Sequence, residues 1–304
     1  MKKCDTISKL GFDIVHGCQL RCVGCPNSVI RPKVKFISAE DFDLCMKNID
    51  VSRVIEFRLY NYGEPLLHPD LLNVIRQIAK QSFKTERVEI STNAQVLNKE
   101  VLTEVIKDNI VNRIAVSCDG DGTSEEYERL RPPAKWSKLV SFLTSVAKIR
   151  DKYSSEEKFP LITRTVCTDK KTEEKWTELL KPLGWRPQFR VWKQFSGVTA
   201  DLPGLKKQLN PPNKSCTYVR ARRMRGVLYG RSGHIFVDAD ARPLYVDYDG
   251  TVVPCCAHPR AAVLGNLKQK KYNEILADEK MKLFSKELTI NRKNMSVCGK
   301  CMEK

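Results

Sequence analysis

Six times in the first 200 residues a short apolar run alternates with a helix-like segment, and this restricts the fold more than any other feature of the chain. Phe12 to His16, Arg53 to Tyr60, Arg87 to Ser91, Arg113 to Ser117 and the stretches 160–166 and 188–193 read as strands. Helical patterns begin near Ser38 and Asp70 and cover residues 98–109, 136–151 and 172–181. Ser38 is a good N-cap, with Glu40 and Asp41 supplying negative charge to the first turn. Leu71, Val74, Ile75 and Ile78 recur at helical spacing after Asp70. Helix-length connections predict a parallel sheet with right-handed crossovers. Six such units either close part-way into a barrel or lie open as a doubly wound sheet, and periodicity does not choose between them.

The texture changes near residue 200. Asp201–Gly204 and Asn210–Asn213 are turn-rich and read as a linker. Beyond them come a very basic stretch, a hairpin signal at Tyr245–Pro254 and a helix over 271–286. The expected division is 1–200 and 201–304, with a thin core in the second part that needs help from a metal centre.

Twelve cysteines in 304 residues are unusual. The chain opens without an apolar stretch that suits a secretory signal, and no run approaches a membrane span. A cytoplasmic, reducing setting is therefore expected, where clustered cysteines point to metal or catalysis rather than disulfides. Cys18, Cys22 and Cys25 form a C-x3-C-x2-C loop directly after the first strand. Three thiolates on one tight loop can hold a [4Fe–4S] cube and leave one iron without a protein ligand. Structural zinc favours four ligands and C-x2-C pairs, which fits this loop less well. Cys4, Cys45, Cys118 and Cys167 read as small apolar fillers.

This loop, in this place, resembles the defining motif of the radical S-adenosylmethionine (SAM) superfamily. Tyr62, Gly63, Glu64 and Pro65 at the end of the second strand resemble the glycine-glutamate-proline segment that binds the amino group of SAM. Ser91 and Asn93 after the third strand, and Ser117 after the fourth, resemble the segments that contact its ribose and carboxylate. Arg164 on the fifth strand resembles a basic residue that holds the carboxylate. Two positions depart from the family pattern: Gly24 where an aromatic residue is common, and Tyr62 where a first glycine is usual. Cys216, Cys255, Cys298 and Cys301 resemble the ligands of a twitch domain, the shortened SPASM domain that carries one auxiliary [4Fe–4S] cluster. Zinc suits a four-cysteine set as well, and Cys256 competes with Cys255 for the ligand role.

The resemblance implies a partial (β/α)6 TIM barrel with a small C-terminal α+β auxiliary domain. It implies SAM and two [4Fe–4S] clusters as cofactors, and a reductant protein such as flavodoxin or ferredoxin as partner. Reductive cleavage of SAM would give a 5′-deoxyadenosyl radical that removes hydrogen from a substrate. An auxiliary cluster with four cysteine ligands has no open iron and suits electron relay. Alternation on the second strand places Glu56, Arg58 and Tyr60 on one face, to flank the substrate or to pair with one another inside the barrel.

Charge bears on the substrate. The net charge is +17; residues 205–304 carry 20 basic and 9 acidic side chains, against 33 and 27 in residues 1–204. The densest stretch interleaves Arg220, Arg222, Arg223, Arg225 and Arg231 with Tyr218 and Tyr229, which suits phosphate contacts and base stacking. The expectation is a nucleic-acid substrate, DNA before RNA, whose modified base leaves its stack to reach the radical, as in DNA hypermodification. The alternatives are a peptide maturase, a small-molecule radical dehydrogenase, and an iron–sulfur or zinc DNA-binding protein that never cleaves SAM. Fewer than 20 residues precede Cys18, which counts against the leader-binding wing of a peptide maturase.

Overall fold

The computed structural model describes residues 4–166, 169–190, 216, 218, 241–256 and 261–301 in full, and residues 226–230 and 233–237 by their backbone. The strands, in chain order, are β1 (Thr6–Phe12), β2 (Val15–His16), β3 (Lys35–Phe36), β4 (Arg53–Arg58), β5 (Lys84–Thr92), β6 (Arg113–Ser117), β7 (Leu161–Val166), β8 (Arg186–Arg190), β9 (Gly226–Gly230), β10 (Gly233–Val237), β11 (Arg242–Val246), β12 (Thr251–Val253) and β13 (Gly265–Asn266). Strands β1, β4, β5, β6, β7 and β8 pair in that order, all parallel, so each β/α unit sits beside the one before it. This is the partial barrel.

Helices cover the outside. They are α1 (Pro26–Ile30), α2 (Ala39–Lys47), α3 (Leu71–Ile78), α4 (Lys99–Asp108), α5 (Ser124–Leu130), α6 (Trp136–Tyr153), α7 (Lys170–Leu180), α8 (Tyr272–Ala277) and α9 (Glu279–Ile290). Ser38 caps α2 by accepting the Asp41 amide at 3.1 Å. Leu71, Val74, Ile75 and Ile78 of α3 all turn into the core. Covered on both faces, β4 buries Val54, Ile55, Glu56 and Phe57 in succession, as a central parallel strand does. No helix among the described residues is long and apolar enough to cross a membrane.

Three features differ from the sequence expectation. The first strand occupies residues 6–12 rather than 12–16, because Ile7, Leu10 and Phe12 carry its buried contacts, and of the expected stretch Val15 and His16 form the separate short β2. Two helices break the expected 271–286 segment at Asp278, whose carboxylate accepts the Lys280 amide and caps the second. The segment after residue 240, expected as a separate small domain, extends the barrel's own sheet: β11 pairs parallel to β1, and β12 and β13 follow antiparallel. Leu244, Val246, Val252, Tyr272 and Ile275 share one hydrophobic cluster with Ile7, Leu10 and Phe12. The thin core is thus supplemented by the barrel's. The expected boundary at residue 200 lies outside the described residues.

Candidate active site

Chain segments that leave the carboxyl ends of the parallel strands converge on one cavity of about 340 Å3, the usual location of ligand sites in such folds. The loop after β1 brings Cys18, Cys22 and Cys25; that after β4 brings Tyr62, Gly63 and Glu64. Ser91 and Asn93 come with β5, Ser117 and Asp119 with β6, Arg164 with β7 and Arg190 with β8.

Asp13 organises the loop after β4. Its buried carboxylate accepts the amides of Asn61 at 2.8 Å, Tyr62 at 3.0 Å and Gly63 at 3.0 Å. Burial raises its pKa to about 6, and the three amides work against that shift. The same loop meets the cysteine loop directly. The Glu64 amide donates to the Gly17 carbonyl at 3.1 Å, and Asn27 Nδ2 donates to the Tyr62 carbonyl at 2.7 Å. A Cβ on Gly63 would stand 1.6 Å from the Val15 carbonyl oxygen, so only glycine permits this approach.

Glu64 is buried and held on both oxygens, by the Asn93 amide at 2.7 Å and the Leu66 amide at 3.2 Å. Burial, the largest effect, lifts its pKa to about 6. It is therefore a preset acceptor that gains from a nearby cation. Asn93 Nδ2 donates to Cys18 Sγ at 3.3 Å and links this acceptor to the cysteine loop.

Burial raises the thiol of Cys18 to about 11, that of Cys22 to about 12, and that of Cys25 as well. Arg131 opposes the shift at Cys22 and Cys25. It arrives at the end of α5, whose last turn is stitched to the cysteine loop by the Val23 amide on the Leu130 carbonyl at 2.8 Å. Asp119 pairs with Arg131 and accepts the Val166 amide at 3.2 Å. Gly24 has a positive φ of 78°, in the turn closed by the Cys25 amide on the Cys22 carbonyl. An aromatic residue there would be strained, which accounts for the glycine.

These groups fit an iron–sulfur cluster and SAM: three neighbouring thiols, a fixed cation beside them and a preset carboxylate facing the same cavity. Among the described residues no three His, Cys, Asp or Glu side chains approach closely enough to hold a single metal ion. An iron–sulfur cube spreads its thiolates over separate irons, so they need not meet at one point.

Beneath the cavity lies the charged network of the barrel lumen. Arg58 pairs with Glu56 at 2.6 Å; Arg87 and Lys9 reach the same carboxylate at 3.3 and 3.9 Å. Arg164 and Arg113 bind Glu89, which also accepts the Tyr60 hydroxyl. Burial pushes Glu89 upward, but the guanidinium groups of Arg164, Arg113 and Arg58 outweigh it and hold the carboxyl well below its usual range. Glu56, Arg58 and Tyr60 do share one face, and both sequence readings apply: they pair internally, and Arg58 and Tyr60 also line the cavity. Arg164 lines it too, with its two terminal nitrogens committed to Glu89 and Tyr60.

In the C-terminal segment, Cys298 lies within electrostatic reach of Cys216 and Cys301; burial and then Cys216 raise its thiol. Cys255 and Cys256 lie near Tyr62, whose hydroxyl donates to the Cys256 carbonyl at 2.7 Å. Cys4, Cys45 and Cys118 are buried fillers; Cys167 lies outside the described residues. The Arg/Tyr stretch is only partly described. Tyr218 needs correction as a stacking platform: it is buried edge-on against Phe284, and its hydroxyl is 2.7 Å from Ser285 Oγ. Its ring is used in packing. Arg220, Arg222, Arg223, Arg225 and Arg231 and the side chain of Tyr229 lie outside the described parts.

The cysteine loop and the ligand-facing strand ends on a partial barrel define a radical SAM enzyme. The chain belongs to the radical SAM superfamily, whose family model matches residues 13–183, and residues 239–302 match the SPASM iron-sulfur cluster-binding domain. SAM and a [4Fe–4S] cluster are the cofactors this family implies, with auxiliary iron–sulfur binding in the SPASM part. Two similar curated proteins are GTP 3′,8-cyclases. That of Microcystis aeruginosa is 29% identical over 151 residues, 47% of this chain and 44% of the relative. That of Nitrobacter winogradskyi is 26% identical over 144 residues, 46% of this chain and 40% of the relative. The match thus spans less than half the length of either. Among solved structures, anSMEcpe with bound AdoMet and the Cp18Cys peptide aligns with a TM-score of 0.61 at 16% identity, over 98% of this chain and 89% of the other. BtrN in complex with AdoMet and 2-DOIA aligns with a TM-score of 0.54 at 17% identity, over 97% and 92%. At such identities the likeness is one of fold.

Sequence reasoning did not single out Asp13, Arg131 or Arg190. Helix α5 had a signal, Thr123 followed by Glu126, the start pattern of a capped helix; Thr123 Oγ1 does accept the Glu126 amide at 3.3 Å. Asp13 and Arg190 had none, since their roles come from contacts distant in the chain.

Proposed function

We propose that this radical SAM enzyme acts on a base in nucleic acid, DNA before RNA, and remodels an already modified base. The observation that carries the substrate half is the charge distribution. Residues 205–304 hold 20 basic against 9 acidic side chains, a density suited to a phosphate backbone. The two relatives named for GTP add support for a nucleotide-type substrate.

Bound SAM supplies the hydrogen-abstracting radical on reduction. The residues of this chain do the rest. Glu64, fixed by two backbone amides, orients the amino group of SAM, while Asp13 sets the loop that carries Glu64. Asn93 bridges this acceptor and Cys18. Arg131 places a cation beside Cys22. The lumen residues present a rigid polar floor to the substrate, because their carboxylates are already paired. Cys216, Cys298 and Cys301, with Cys255 or Cys256, would hold the auxiliary cluster, suited to relaying electrons.

The test is binding and turnover on single- and double-stranded DNA that carries modified pyrimidines. Affinity should fall with salt with a log–log slope of about −0.9 per phosphate neutralised on duplex DNA, and 5′-deoxyadenosine should form together with an altered base. Salt-insensitive binding, or turnover of free GTP or of a peptide instead, would overturn the nucleic-acid reading.

A further inference from the structure

Two segments far apart in the chain run side by side at the cysteine loop. The amides of Arg21 and Val23 donate to the carbonyls of Pro132 and Leu130, at 2.6 and 2.8 Å. This short ladder sets Arg131 opposite Cys22, the middle cysteine of the three. Arg131 is only 8% exposed, and it lines the cavity together with Cys18, Cys22 and Cys25.

Its guanidinium is only partly used. One terminal nitrogen is bound by Asp119, whose other oxygen accepts the Val166 amide. Nε of Arg131 is buried and has no hydrogen-bond partner among the described residues. A buried N–H donor without an acceptor is costly, and a buried cation gains from a negative neighbour. At both Cys22 and Cys25 the guanidinium counts for more than the carboxylate of Asp119, so the pair does not act on these thiols as a neutral one. Arg21, another cation near the loop, donates instead to the carbonyls of Cys18 and Leu20, at 2.6 and 2.8 Å.

We infer that Arg131 tunes the redox potential of the cluster on Cys18, Cys22 and Cys25: its Nε donates to a sulfur there, and its charge favours the reduced form. Reduction adds one electron, from dithionite or from a reductant protein, to a group that already carries three thiolates. A cation and an N–H donor at the sulfurs stabilise that added charge and raise the potential. Arg131 thereby eases uptake of the electron that SAM cleavage consumes. Asp119 is a positioning residue in this arrangement; it fixes the guanidinium and offsets part of its charge. The inference rests on the reading that these three cysteines hold a cluster, and it is independent of the substrate.

A redox titration of the reconstituted full chain, followed by electron paramagnetic resonance, tests it. The signal that changes on addition of SAM reports the three-cysteine cluster, and the auxiliary signal serves as the control. At a fixed potential, Arg131→Gln should shift the ratio of reduced to oxidised cluster about tenfold toward the oxidised form, a fall of about 59 mV for one electron. The auxiliary midpoint should not move. Arg131→Lys keeps the charge and should shift the ratio less. Asp119→Asn removes the opposing charge and should raise the midpoint, and it decides the matter if Arg131→Gln fails to hold the cluster. Equal midpoints for wild type and Arg131→Gln, a parallel shift of both clusters, or an Asp119→Asn midpoint at or below that of wild type would each overturn the inference. An iron-loaded wild type with no SAM-sensitive signal would overturn the cluster reading itself, so the two failures are told apart.

Discussion

The hydroxyl of Tyr62 donates to the carbonyl of Cys256 at 2.7 Å, joining two residues 194 positions apart. Tyr62 belongs to the loop that presents Glu64, and Cys256 follows the hairpin β11–β12, next to a candidate auxiliary ligand. The bond thus couples the SAM side of the site to the auxiliary segment. Tyr62→Phe removes it and should cost about 1 kcal/mol of stability, read as a lower midpoint in denaturant with an unchanged slope. An unchanged midpoint would show that the bond contributes nothing.

Asp13 predicts a pH effect on stability. Its pKa is raised to about 6 in the folded protein, against about 4 when unfolded. The folded state therefore holds more protons between these values, and stability is lost as pH rises from about 4 through 6. Asp13→Asn should flatten that part of the stability profile, by up to about 3 kcal/mol across the window. Parallel profiles for variant and wild type would contradict the assignment.

Glu64 predicts the opposite sign for cofactor binding. The acceptor of an ammonium group must be ionised, and burial holds Glu64 protonated to about pH 6. SAM affinity should rise as pH increases through 6 and level off above it. Glu64→Gln should bind weakly throughout, without that step, as equilibrium dialysis can record.

Gly63→Ala is the most disruptive small change expected near the site. The added methyl would stand 1.6 Å from the Val15 carbonyl oxygen, so one of the two loops must move. The expected cost is about 3 kcal/mol or more, together with loss of SAM binding. Normal binding by the variant would mean that the loops separate easily.

Glu89→Gln leaves Arg113 and Arg164 without their shared carboxylate. Removing one member of a buried ionic group costs about 3–5 kcal/mol, and thermal unfolding should show it. A loss below about 1 kcal/mol would mean that water enters the lumen and screens the pair.

The barrel was legible because its units are local. Strand β6 falls on the expected Arg113 to Ser117, and Ser38 caps α2, because alternation and capping depend on neighbouring residues. The cysteine loop and Glu64 were legible as a motif with fixed spacing. Asp13 was not, since its role depends on amides 48 to 50 residues away. Nor was the continuation of the sheet through β11, because pairing between Ile7 and Arg242 leaves no mark on either local pattern. Tyr218 looked like an interleaved aromatic, but α9 supplies Phe284 and Ser285 and folds it inward. Long-range contacts decide such positions.

We propose that Cys18, Cys22 and Cys25 hold the cluster at which SAM is cleaved. The direct measurement is anaerobic reconstitution with iron and sulfide, addition of SAM and dithionite, and quantification of 5′-deoxyadenosine for wild type and Cys22→Ala. Wild type should form it, and Cys22→Ala should form none above background while keeping iron on the auxiliary cysteines. Equal yields from both proteins, or none from iron-loaded wild type, would contradict the account.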